Sequence, residues 1–184
     1  MPKKSFDAEL WIKLGLKTLK NEGLAKFGVE ALARKAGVTK GSFYWHFKDR
    51  DDYFKQIVDY WLTRQLQIIQ HFSQQADDVE PKQQLYNVMH YILNKNTDED
   101  TAMRSWVMHY DYATKAVKKV DKMRLEYLIR LFKEMGYNKD ESKLRAQMLY
   151  FYQVGEHTIL ERDREGIRSR LNDLHYKMLV DGVC

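Results

Sequence analysis

The sequence predicts an all-α protein, on three observations. Apolar residues recur at steps of three and four along nearly the whole chain. No stretch alternates apolar and polar residues as a half-buried strand does. Only 9 Gly and 2 Pro are spread over 184 residues, so the helices run long with few breaks.

Taken in order, Ala8, Ile12, Gly15, Leu16 and Leu19 form the first stripe, and Gly23 ends it. A short second helix from about Val29 to Ala36 carries Val29, Leu32, Ala33 and Ala36, with Gly37 placed for a left-handed C′ residue. Thr39 is a good N-cap for a third helix, and Asp49 for a long fourth one bearing Phe54, Val58, Trp61, Ile68 and Phe72. Residues 73–81, SQQADDVEP, read as a loop, followed by a helix marked by Leu85, Val88, Met89 and Ile92. Residues 94–100, NKNTDED, read as a second loop, and Met103, Trp106, Val107 and Tyr110 as the next helix. Longer helices follow over about Thr114–Met135, Asp140–Arg162 and Arg164–Val180, the first ended by Gly136.

Charge divides the chain unevenly. Residues 1–50 hold 11 Lys/Arg against 5 Asp/Glu, whereas the rest hold 20 against 21. A basic end on a neutral body suits a polyanion-binding segment joined to something with another task, or else a solvated basic surface. No run of apolar residues is long enough to cross a membrane, and Met1–Leu10 lacks the apolar stretch of a signal peptide, so a cytoplasmic protein is expected. The lone Cys184 excludes an intrachain disulfide.

The stretch AGVTKGSFYWHF, residues 36–47, settles what the basic end is for. Two short helices joined by a tight Gly-containing turn, the second starting small and polar, are the parts of a helix-turn-helix. Ala33 and Gly37 let the two helices cross closely, while Leu32, Val38, Phe43 and Phe47 fill the wedge. Gly41 and Ser42 allow the second helix to approach base edges in the major groove. Lys40 can reach a base or a phosphate, Thr39 can add a hydroxyl, and Tyr44 and His46 can donate to phosphate oxygens. The competing reading, a plain core helix, does not explain the small basic start.

These residues resemble the DNA-binding domain of the TetR family of bacterial transcriptional repressors, from Ile12 to about Val58 and most densely in GVEALARKAGVTKGSFYWHFKDRDDYF, residues 28–54. The resemblance implies that Thr39, Lys40, Ser42, Tyr44, Trp45 and His46 face DNA and that Arg50 takes a phosphate. One departure is plain: Phe27 and Gly28 stand where the family usually has Ser or Thr before the second helix. The resemblance further implies an N-terminal three-helix domain over 1–50, joined by a long helix to a helical ligand-binding and dimerisation domain over 51–184. The implied partners are double-stranded operator DNA, a second copy of the chain, and a small-molecule effector that releases the operator.

The body supports a homodimer on its own residues. Residues 146–155, AQMLYFYQVG, are apolar or small on nearly every face, so that helix needs cover from two directions. The last helix has a stripe of Ile167, Leu171, Leu174 and Met178. Met148, Tyr152, Gly155, Ile159 and that stripe are therefore the expected dimer interface, unless both helices only complete the monomer core. Weaker resemblance continues over 103–113, 121–137 and 144–155.

Tyr86, Met89, His90, Trp106, His109, Tyr110, Tyr152 and Glu156 are the candidates for an effector cavity, whose Met-rich aromatic lining suits an apolar or aromatic molecule. The competing reading of each is ordinary core. Metal, cofactor and catalysis are not expected, because His90, His109, His157 and His175 lack ligand spacing and no phosphate loop or nucleophile elbow occurs. Two further readings stay open: a DNA-binding protein whose body senses nothing, and an enzyme assembled from scattered residues.

Overall fold

Local capping places most helix ends. α1 runs over Ala8–Glu22, with the Asp7 carboxylate accepting from the Leu10 amide at 2.8 Å and Gly23 at φ 68° beyond its end. α2, Val29–Ala36, ends on Gly37 in the left-handed region at φ 69°, ψ 27°, where Val38 N–H turns back to the Ala33 carbonyl. α3, Lys40–His46, has Thr39 at its N-cap position, though the hydroxyl makes no capping hydrogen bond. α4, Arg50–Gln74, is capped by Asp49 Oδ1 accepting from the Asp52 amide at 2.8 Å. Then come α5 (Pro81–Asn94), α6 (Asp98–Trp106), α7 (Asp111–Glu134), α8 (Lys139–Thr158) and α9 (Glu165–Asp181). The computed structural model describes residues 6–23, 27–74, 79–94, 98–158 and 165–181, and among them every regular element is helical.

Several ends differ from the periodicity. The expected loop over 73–81 is shorter, since Ser73 and Gln74 complete α4 and Pro81 opens α5, where its missing N–H costs nothing. Residues 75–78 and 95–97 lie outside the described residues, as do 159–162 at the expected end of the eighth helix. α6 stops at Trp106 rather than reaching Tyr110, because the Val107 and His109 amides bond only three residues back, to the Arg104 and Trp106 carbonyls, and tighten the chain into a turn. The Thr114 hydroxyl donates to the Val107 carbonyl at 2.8 Å and fastens that turn to α7.

The described residues form two compact units. The first comprises the chain up to Arg64 together with Asp98–Lys118. Its core is aromatic: Trp11, Phe43, Phe47, Tyr53, Trp61 and Trp106 are all buried. α6 packs on α1, Trp61 Nε1–H donates to Asp100 Oδ1 at 2.9 Å, and Trp106 lies against Phe27 and Phe54. The second unit takes Gln65–Thr97 and the chain from Lys119 onward. Leu85, Met89, Leu131, Phe132, Ala146 and Leu149 fill its centre, and α9 lies along α5. α4 and α7 each carry residues of both units.

Candidate nucleic-acid interface

The rings of α3 divide by period. Phe43 and Phe47 point inward, where Phe43 meets Trp11 and Tyr53 edge-on at 5.4 and 5.0 Å. Tyr44 and Trp45 point outward, with 52% and 83% of their surface exposed. An exposed tryptophan forgoes burial worth roughly 2 kcal/mol or more. Among the described residues the His46 ring lies against Trp45, edge-on at 5.2 Å.

Thr39, Lys40, Gly41 and Arg50 are exposed as well, and Ser42 is half-buried. A Cβ added at Gly41 would meet only Thr39 Oγ1, at 3.7 Å. The fold therefore has no need of glycine at that position, and its smallness is available to whatever approaches from outside. Lys40 Nζ donates to Glu30 Oε1 at 2.7 Å, which raises the lysine above its ordinary pKa and lowers the glutamate. The Arg50 guanidinium lies over the Phe54 ring, 4.9 Å from its centre. His46 Nε2 is 3.0 Å from the Phe6 carbonyl oxygen. A carbonyl only accepts, so Nε2 carries the proton there and Nδ1 is the nitrogen left to contact anything else.

Of the cavity candidates, Met89, Tyr152 and Glu156 come together in the second unit with Gln153, Arg168 and His175, around a space of about 10 Å³. That holds about one water molecule. Arg168 Nε donates to Glu156 Oε1 at 2.7 Å across it, and burial pushes the His175 imidazole below its usual pKa. Tyr86 and His90 stack at 4.8 Å and line an open depression of about 380 Å³ with Asn87, Tyr91 and Asn94. Trp106, His109 and Tyr110 belong to the first unit. There Trp106 is core, His109 is exposed, and the Tyr110 hydroxyl donates to Asp51 Oδ1 at 3.1 Å.

The expected dimer residues mostly share one property. Met148, Tyr152, Ile167, Leu174 and Met178 are between 40% and 51% exposed. Gly155 and Leu171 are half-buried, and Ile159 lies outside the described residues. The opposite face of α8 buries Ala146, Leu149, Tyr150 and Gln153. Sequence reasoning missed Leu144 and Phe151, 58% and 60% exposed on the same helix, although their spacing from Met148 would have found them. It also missed Glu30, since no local pattern links residues ten apart across a turn.

An exposed helix of small, basic and aromatic residues, seated on a buried aromatic core behind a tight glycine turn, defines a protein of the helix-turn-helix class. Residues 12–57 match the bacterial regulatory proteins of the tetR family. Over 46 residues the chain is 37% identical to the HTH-type transcriptional regulator AcrR of Shigella flexneri, a match covering 25% of this chain. It spans about a fifth (21%) of that relative's length. In fold, the chain is similar to a transcriptional regulator from Rhodococcus sp. Rha1, with a TM-score of 0.69 at 16% identity over 97% of this chain and 99% of that one. E. coli NemR in its reduced form is similar too, with a TM-score of 0.69 at 14% identity over 96% and 97% of the two chains. The chain thus carries the helix-turn-helix region of the tetR family over residues 12–57, and it shares the fold of solved transcriptional regulators along nearly its whole length.

Proposed function

We propose that this protein regulates transcription by binding a palindromic operator as a homodimer, and that an apolar or aromatic small molecule releases it. The observation that carries this reading is the outward face of α3, where Tyr44 and Trp45 stand exposed and the fold has no need of a glycine at 41. In this reading residues 1–50 hold DNA and residues 51–184 dimerise and sense. The protein acts in the cytoplasm, where its operator is, and uses neither metal nor cofactor. One helix enters each half-site, so half-sites lie one or more helical turns apart. Selection of bound duplexes from random DNA tests this, and a selected site without two-fold symmetry rejects it.

Contacts divide into two kinds. Thr39, Tyr44 and Arg50 position the protein on phosphates, and Lys40, Ser42 and Trp45 face base edges, with Gly41 admitting them. His46, whose Nε2–H is directed at the Phe6 carbonyl, offers DNA the acceptor Nδ1. Arg50→Ala should weaken binding to every sequence and flatten the plot of log affinity against log salt by about 0.9 if it removes one phosphate contact. Tyr44→Phe removes a neutral donor and should change affinity with little effect on that slope. Ser42→Ala should relax base preference at one position, by about 1–3 kcal/mol for a good base contact. Titrations of operator and scrambled duplexes over a salt series separate the three. An unaltered selected motif for Ser42→Ala rejects its assignment.

The effector must bind one conformation better than the other, or it shifts nothing. α4 starts at Arg50, four residues beyond His46, and continues to Gln74, so a displacement along it is felt behind α3. Operator DNA should weaken effector binding by the same factor as effector weakens operator binding. The small volume around Glu156 and Arg168 favours a second reading, a body that binds no ligand. Thermal shifts against metabolite pools decide between them, because a binder stabilises the fold and a ligandless body gives no shift.

A further inference from the structure

The first turn of α2 brings Glu30 to the first residue of α3, where its carboxylate accepts from Lys40 Nζ at 2.7 Å. The two side chains are 73% and 50% exposed. So exposed an ion pair contributes little to folding, and α2 already packs on α3, with Leu32, Ala33 and Phe43 buried. An acid on the surface that meets phosphates also opposes binding. On electrostatic grounds Glu30 is expected to weaken generic affinity, and so exposed a pair adds little stability.

What it does is hold a flexible reader still. Lysine's ammonium has three donors on a four-carbon stem and takes whichever acceptor is nearest. On DNA the nearest are phosphates, which carry no sequence. With one N–H spent on Glu30, two donors remain, and guanine presents two acceptors, N7 and O6, in the major groove. We propose that Glu30 is a positioning residue for sequence reading, which aims Lys40 at the acceptor edge of guanine and keeps its charge off generic phosphate. This rests on α3 being the helix that enters the major groove. The mutual pKa shifts agree with a pair that stays ionised near neutral pH, with Arg34 adding a smaller lowering of Glu30.

The test uses the full-length protein, wild type against Glu30→Gln, Lys40→Met and the double variant, each checked for unchanged thermal melting. Readouts are the selected site and the salt dependence on operator and scrambled duplexes. Glu30→Gln should bind scrambled DNA more tightly, with a salt slope steeper by about 0.9 as the freed lysine takes a phosphate. It should lose a guanine preference of roughly tenfold at one position in each half-site, as Lys40→Met does. In the Lys40→Met background the same change should leave slope and motif alone. Glu30→Asp, keeping the charge, should retain part of the preference.

Three results would overturn the proposal. If Glu30→Gln leaves slope and motif unchanged while Lys40→Met alters the motif, Lys40 reads without being positioned. If Glu30→Gln acts equally in both backgrounds, the carboxylate merely repels phosphate. If Lys40→Met selects the wild-type site with wild-type affinity, the assignment of Lys40 as a reader fails, and this inference with it.

Discussion

Gly15→Ala should destabilise the protein and Gly15→Val should destabilise it severely, although both replace a helix-breaking residue with a better one. A Cβ at Gly15 would lie 2.4 Å from Tyr53 Oη and 2.6 Å from Ile57 Cδ1. Tyr53 cannot give way. It is 1% exposed, its hydroxyl donates to the Trp11 carbonyl at 2.7 Å, and its ring is packed against Phe27, Phe43 and Phe47. Overpacking costs about 1–3 kcal/mol, and the loss of a buried hydrogen bond about 1 more. The gain in helix propensity returns only about 1 kcal/mol. A net loss near 2 kcal/mol should lower Tm by roughly 4–8 °C for the alanine variant. Valine adds two further methyl groups to the same clash.

Because Tyr53 also braces Phe43 on the inner face of α3, operator affinity should fall with stability. Gly41→Ala is the contrasting control. Its Cβ meets nothing closer than 3.7 Å, so melting should match wild type while operator binding weakens. Calorimetry and operator titration of the two variants are sufficient. A Gly15→Ala protein that melts with wild type would show that the helix can move aside. A Gly41→Ala protein with full affinity would show that bases do not approach there.

Leu174→Glu should convert the proposed dimer to a monomer and lower operator affinity by a hundredfold or more. Leu174 is 49% exposed in the single chain, beside Met178 at 51% and Ile167 at 40% on the same helix. The monomer can therefore tolerate a carboxylate there, which Leu171, half-buried within the chain, does not guarantee. In a two-fold interface the change is made twice, placing two unpaired charges in an apolar seam at several kcal/mol each. Loss of the second subunit removes the second half-site, and with it a gain of about 10²–10⁴ from effective concentration. Sedimentation or light scattering gives the mass, and the same samples give operator affinity. A variant of unchanged dimer mass would move the interface off α9.

Glycine at 37, threonine at 39 and aspartate at 49 were enough to divide residues 29–74 into three helices with correct starts, apart from α4's last two residues, assigned to the following loop. The motif over 28–54 lies within the residues that match the tetR family. Capping and turn chemistry act over three or four residues, and a single sequence displays everything within that range. The exposed faces of α8 and α9 were legible for the same reason, since apolar period is a local property. Tertiary structure decided what depends on distant partners. It put Trp106, a cavity candidate by composition, into the core of the first unit against Phe27, some eighty residues earlier. It distinguished Gly15, enclosed by Tyr53 and Ile57, from Gly41, where an added Cβ would make only an ordinary contact with Thr39. It joined Glu30 to Lys40 across the helix-turn-helix. A close contact between residues far apart in the chain depends on how helices cross, and packing volume and backbone geometry, not any local signal, determine the crossing.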